Sequence, residues 1–160
     1  MAVKNYAAID IGSNAVRLLI KSVSSSIQDK EDKFSKVLLL RVPLRLGFDV
    51  FEKGRISPEK EERMRRLMKA YRHLMKIYGV ERYRACATSA MRDAENGKSI
   101  IKKIKKTTGI NIEIIDGQEE AKMVYNNHME CREDRNGNYM YVDVGGGSTE
   151  DNYFVNGELV

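Results

Sequence analysis

The sequence is poor in cysteine. Two in 160 residues, Cys86 and Cys131, exclude a disulfide framework, and their separation matches no metal-ligand pattern. A reducing, cytoplasmic setting is therefore expected. Long hydrophobic runs are also missing: none approaches the ~18 residues that a membrane span needs. The opening segment MAVKNYAAIDIGSN does not read as a secretory signal, because its apolar stretch is short and holds Asp10. Charge of one sign is not dominant either. Twenty-eight basic against 23 acidic residues leave a net charge of +5. That bias favours anionic partners without choosing among nucleic acid, phosphate polymers and nucleotides. What is present, 42% hydrophobic and 32% charged residues, fits one globular domain with a real core rather than a disordered chain.

Two short apolar runs, residues 6–11 and 15–23, flank Gly12-Ser13-Asn14 and read as a β-hairpin. Residues 24–33 are polar and read as a loop. Residues 36–44 form a third strand that Pro43 ends or confines to an edge. Residues 45–56, holding Gly47 and Gly54, read as irregular. Ser57-Pro58 then opens a helix, serine as N-cap and proline in the first turn. Met64, Leu67, Met68, Tyr71, Leu74, Met75 and Tyr78 recur at helical spacing, and Gly79 stops the helix. A strand over 81–88, a short turn or helix over 89–96, a helix over 98–108, a strand over 110–115 and a helix from Asp116 to about residue 131 follow. Strands over 139–144 and 149–155 then lead to the hairpin-turn signal Asn156-Gly157. Three strands followed by strand–helix alternation predict an α/β fold, a mixed sheet covered by helices. The first lobe is expected over residues 1–125 and the start of a second over 126–160. With that second lobe unfinished, the chain alone is expected to be inactive.

An approximate internal repeat carries the chemistry. Ala8–Asn14 and Val142–Thr149 each place an aspartate on an apolar strand, followed by a turn of glycine and hydroxyl residues. Glycine lets backbone N–H groups approach a phosphate, and serine or threonine adds donors. An aspartate cannot donate to phosphate. A hard cation such as Mg²⁺ is its natural partner, bridging carboxylate and phosphate oxygens. Either turn alone is weak evidence: GGGS is commonly a flexible loop. Two together predict two lobes gripping a phosphate chain and a metal.

These turns resemble the two phosphate motifs of the actin, sugar-kinase and heat-shock-protein superfamily. Arg45-Leu46-Gly47, residues 87–94 (ATSAMRDA), residues 115–121 (IDGQEEA) and residues 145–150 (GGGSTE) further resemble segments of the exopolyphosphatase and guanosine-pentaphosphate phosphohydrolase family, in its order and spacing. Asp116 stands where that family usually has serine, and Asp151-Asn152 stand where apolar residues are usual. The resemblance implies an actin-like (ribonuclease H-like) lobe plus the first strands of another. It implies metal-assisted hydrolysis of a terminal phosphoanhydride, in polyphosphate or guanosine pentaphosphate, and leaves a homodimer open. Membrane and specific nucleic-acid partners are not expected.

The resemblance also assigns residues. Glu120 is the catalytic carboxylate, with Glu150 able to assist. Gly12, Ser13, Asn14, Arg92, Gly145, Gly146, Gly147 and Ser148 bind phosphate. Asp10 and Asp143 are the metal candidates. Asp116 and Glu119 fit a capping box, which makes Glu119 structural. Arg17 could face either side of its strand. Cys86 and His128 read as packed residues. The basic runs 63–76 and 98–106 read first as solvated helix faces, and second as a funnel for a polyanion. Two rivals remain: an ATP-dependent kinase or ATPase of the same superfamily, and a nucleotide-sensing module without catalysis.

Overall fold

The computed structural model describes residues 3–24, 33–129, 137–144, 149–156 and 158–159. Strands β1 (Val3–Ile11), β2 (Val16–Ser24) and β3 (Lys33–Val42) form an antiparallel meander. The chain then crosses over through α1 (Leu46–Lys53) and α2 (Pro58–Ile77) to β4 (Val80–Ala87), which lies parallel to β1. A second crossover, α3 (Ser89–Asp93) and α4 (Gly97–Thr108), leads to β5 (Glu113–Ile114), parallel to β4. The five-stranded order is β3-β2-β1-β4-β5, a mixed sheet as the strand–helix alternation predicts. Helix α5 (Gly117–Met129) precedes a second sheet of β6 (Tyr139–Val144), β7 (Thr149–Val155) and β8 (Glu158–Leu159), all antiparallel.

Strand periodicity divides the first sheet into two faces. Ile9 and Ile11 of β1, Val16, Leu18 and Ile20 of β2, and Ala85 and Ala87 of β4 point into one core. Met64, Met68, Tyr71 and Met75 of α2 and Ile100 and Ile104 of α4 close over them. Each fully buried side chain of this size contributes about 1.5–3 kcal/mol. Tyr71 is buried and donates its hydroxyl to the Val16 carbonyl at 3.1 Å; burial pushes its pKa up to about 12. The alternate residues, Asp10, Arg17, Arg84, Cys86 and Glu113, fall on the opposite face by the same period of two.

The helix stops are local. Ser57 Oγ accepts from Lys60 N at 3.4 Å, and Gly109 ends α4 at φ 73. Three expectations change. Residues 45–56 are not irregular: they hold α1, whose eight residues carry too short a periodic run to announce a helix. Its start is fixed by distant partners, with Arg45 N bonded to Asn14 O (2.8 Å) and Gly47 N to Ser13 O (2.8 Å). The strand over 110–115 pairs only at Glu113–Ile114. The capping box is half formed: Asp116 Oδ1 accepts from Glu119 N at 2.8 Å, but the Glu119 carboxylate turns away to Arg84. The charged partner on β4 outcompetes a neutral backbone N–H.

Candidate active site

Three connections meet at the carboxyl ends of the parallel strands, where open α/β sheets bind ligands. After β1 comes Gly12-Ser13-Asn14, after β4 comes Thr88-Ser89, and after β5 comes Asp116-Gly117. Main-chain bonds stitch them side by side. Thr88 N donates to Ile11 O at 3.2 Å, and Ile115 N donates to Ala87 O at 3.0 Å. The buried hydroxyls of Ser13 and Ser89 lie 2.8 Å apart and bond across 76 residues of sequence. The β1–β2 turn is therefore held in place rather than flexible.

The individual donors are more occupied than their residue types suggest. Gly12 N–H closes the hairpin turn on Ala15 O at 3.1 Å. Ser13 is buried and shares its proton with Ser89, whereas Asn14 is exposed. Arg92 stands one-third exposed, with Nη1 donating to Ile115 O at 3.1 Å and Nε 3.5 Å from Asp93. That bond ties α3 to the start of α5. Glu120 is half-buried in the first turn of α5, its N–H bonded to Asp116 O at 3.0 Å. Glu119, one residue earlier, meets Arg84 Nη2 at 2.6 Å, and the same guanidinium takes Glu113 at 2.9 Å. Those carboxylates, Glu119 foremost, hold the Arg84 pKa above its ordinary value. Burial pushes the Cys86 thiol up, against the lowering effect of Arg84, so it is no ready nucleophile.

Arg17 was the open position in the sequence. The β1–β2 register places it directly opposite Asp10, and Arg17 Nη1 meets Asp10 Oδ2 at 2.6 Å. Counting outward from Ser13-Asn14 pairs 10 with 17, so the hairpin itself held the signal. Arg84, Thr88 and Ser89 were also missed, although Thr88 and Ser89 are hydroxyl residues directly following a strand, the same signal that marks the first turn.

Of the second turn, Gly145, Gly146, Gly147 and Ser148 lie outside the described residues, as do the side chains of Asp143 and Glu150. Their backbone pairing is described: Asp143 stands opposite Glu150 across β6–β7, and Val144 opposite Thr149. Among the described residues no three Asp, Glu, His or Cys side chains gather for a metal. Asp10 supplies one carboxylate, already shared with Arg17, so the first sheet alone does not make a cation site.

A mixed sheet with hydroxyl-lined turns at its parallel-strand ends, followed by a second sheet opening on the same hairpin, defines the actin-like class of phosphate-handling folds. Within it, this chain belongs to the Ppx/GppA phosphatase family, whose sequence pattern matches residues 25–158. It is 33% identical over 157 residues to exopolyphosphatase 2 of Mycobacterium tuberculosis, covering 94% of this chain and 48% of that one. It is 32% identical over 146 residues to the guanosine-5′-triphosphate,3′-diphosphate pyrophosphatase of Aliivibrio fischeri, covering 91% and 28%. The crystal structure of the Aquifex aeolicus family member superposes with TM-score 0.84 at 30% identity, over 99% of this chain and 50% of the other. The chain thus spans about half the length, or less, of the relatives it matches.

Proposed function

We propose that the protein carrying this chain is a phosphoanhydride hydrolase that releases terminal phosphate from inorganic polyphosphate, guanosine pentaphosphate or both. One observation supports this above the rest. The turn 12–14, the Thr88-Ser89 step and the Glu120 turn of α5 are locked together at one end of the sheet by the Ser13–Ser89 and Arg92–Ile115 bonds. Hydrolysis of a phosphoanhydride requires positioning and charge neutralisation more than covalent chemistry. Asn14 and the Arg92 fork are the first sheet's donors to phosphate oxygens, and the turn 145–148 is the second sheet's. A guanidinium offers two parallel donors and offsets charge that grows as the bond to the leaving oxygen breaks.

Glu120 orients the attacking water and takes its proton, while Glu119 and Arg84 hold the helix turn that carries it. A divalent cation, held by Asp10 and Asp143 with Glu150 opposite Asp143 in register, would supply Lewis-acid neutralisation of the phosphate oxygens. Division into a lobe over 1–125 and a second beginning at 126 belongs to the same proposal. Part of the basic runs is engaged on the helix surfaces. Arg65 and Arg66 pair with Glu62, and Lys103 pairs with Glu61 of α2. No helix among the described residues is long and apolar enough to cross a membrane; a cytoplasmic location is part of the proposal.

The test is phosphate release by the full-length protein from polyphosphate, guanosine pentaphosphate and ATP, with and without Mg²⁺. The expected result is metal-dependent release from one or both of the first two. Phosphate transfer from ATP to an acceptor would instead establish a kinase, and nucleotide binding without any turnover would establish a sensor.

A further inference from the structure

The carbonyls of the first turn are both taken by the start of α1. Ser13 O accepts from Gly47 N and Asn14 O from Arg45 N, each at 2.8 Å. A trans peptide sends its C=O and N–H in opposite directions. Fixing those two carbonyls on α1 therefore aims the N–H groups of Asn14 and Ala15 away from it. Neither N–H meets an acceptor among the described residues. The direction of both donors thus depends on how the chain is held at Arg45.

Arg45 is a costly place to hold it. Its backbone is left-handed, φ 52, a conformation that a residue with a Cβ adopts rarely. The bond its carbonyl makes within α1 is long, 3.3 Å from Phe48 N. A second donor comes from α2, where Lys60 Nζ reaches the same carbonyl at 2.6 Å. Lys60 is itself fixed by Asp49 Oδ1 at 2.5 Å, and Asp49 Oδ2 accepts from Ser57 N at 3.0 Å. The side chains of Lys60 and Asp49 are only 15% and 11% exposed. We propose that Lys60, held by Asp49, is a positioning residue: it locks the left-handed step at Arg45, and through that step the two N–H donors of the turn. This rests on the reading above that the turn 12–14 binds phosphate, and it adds a residue that acts through the turn rather than on the substrate.

A charge-assisted bond to a carbonyl is roughly twice as strong as a neutral one. Lys60 offers it in a setting largely shut off from water. The same setting makes a single substitution hard to read, because it strands the other charge. Removing both charges together, as Lys60→Met with Asp49→Asn, strands neither, and asparagine keeps an acceptor for Ser57 N. The fold is then expected to survive while the Arg45 carbonyl loses its strong donor. Glycine adopts a left-handed step as readily as any other. Arg45→Gly therefore makes the lock unnecessary, an outcome that no general packing role of Lys60 predicts.

The experiment is a cycle in the full-length protein: wild type, the Lys60→Met/Asp49→Asn pair, Arg45→Gly, and all three substitutions together. The pair is expected to raise KM about tenfold, with kcat within about twofold, because the turn grips phosphate before and during the reaction. Added to Arg45→Gly, the same pair should change KM by less than about twofold. An unchanged KM in the pair, a loss confined to kcat, or an equal rise in both backgrounds would overturn the proposal. Should the wild type hydrolyse neither polyphosphate nor guanosine pentaphosphate, the phosphatase reading fails on its own. Hydrogen exchange of the residue-47 amide, bonded to Ser13 O, then decides the positioning role without activity. Exchange about tenfold faster in the pair, and restored by Arg45→Gly, supports it; any other pattern refutes it. Thermal melting checks the fold of each variant. If the pair fails to fold, Lys60→Gln, which leaves Asp49 a neutral donor, replaces it with the same expectations.

Discussion

The two hairpins that open the two sheets have the same register and a different balance of charge. In the first, Asp10 faces Arg17; in the second, Asp143 faces Glu150; in both, four residues connect the last paired positions. The repeat seen in the sequence is therefore a repeat of backbone geometry. The difference lies in one residue seven positions after each aspartate. Arg17 neutralises its aspartate, whereas two acids stand at the opposed positions of the second hairpin. Under the proposed function the cation would lie between Asp10 and Asp143, with the second hairpin supplying the carboxylates that no arginine neutralises and the first supplying the anion cradle. Their settings differ as well. The first hairpin buries Ile9, Ile11, Val16 and Leu18, while the second leaves Met140, Val142, Tyr153 and Val155 exposed in this chain.

The largest expected effect breaks that asymmetry of charge. Asp143→Asn in the full-length protein should lower phosphate release at least about a hundredfold, and Asp10→Asn only about tenfold. Equal losses would mean that pairing with Arg17 does not lessen the part Asp10 plays in holding the cation. Packing gives the next effect. Ile9→Ala should destabilise by about 2–5 kcal/mol in urea unfolding, against about 0.5 kcal/mol or less for Val142→Ser.

Acid should loosen the first turn. The turn is bonded to α1, and α1 is fastened by Asp49, which accepts from Ser57 N at 3.0 Å and from Lys60. Burial raises the Asp49 pKa, but the Lys60 and Ser57 hydrogen bonds outweigh it and hold it at about 2, below the ordinary 3.8. A depressed carboxylate stabilises the fold above its unfolded pKa and loses that contribution as pH falls through its folded one. About 1–2 kcal/mol should therefore disappear between pH 4 and pH 2, and Asp49→Asn should flatten the profile. A small effect is expected of Arg17→Met. Its pair with Asp10 is half exposed, so unfolding stability should change by less than about 1 kcal/mol.

Much of this was legible in the sequence because it is local. The hairpin around Ser13-Asn14, the methionine-rich face of α2, the Ser57 cap and the Gly109 stop each follow from a few neighbouring residues. What was not legible depends on distant partners. Helix α1 is short, and its first turn leans on Ser13 and Asn14, more than 30 positions earlier. Glu119 looked like the returning half of a capping box because nothing near it in sequence shows Arg84. Arg92 read as a free phosphate donor, and only the fold brings the Ile115 carbonyl to it. The candidate site residues were chosen by type and motif; their hydrogen-bond partners came from the topology.

The neighbouring carboxylates of α5 give the sharpest test, because one is argued to hold the helix and the other to perform the chemistry. Glu119→Gln and Glu120→Gln should be compared in the full-length protein for turnover, substrate affinity and melting temperature. The account predicts that Glu120→Gln lowers kcat at least about a hundredfold with little change in affinity or melting, and that Glu119→Gln costs far less turnover. Undiminished turnover in Glu120→Gln, or a greater loss in Glu119→Gln, would contradict it.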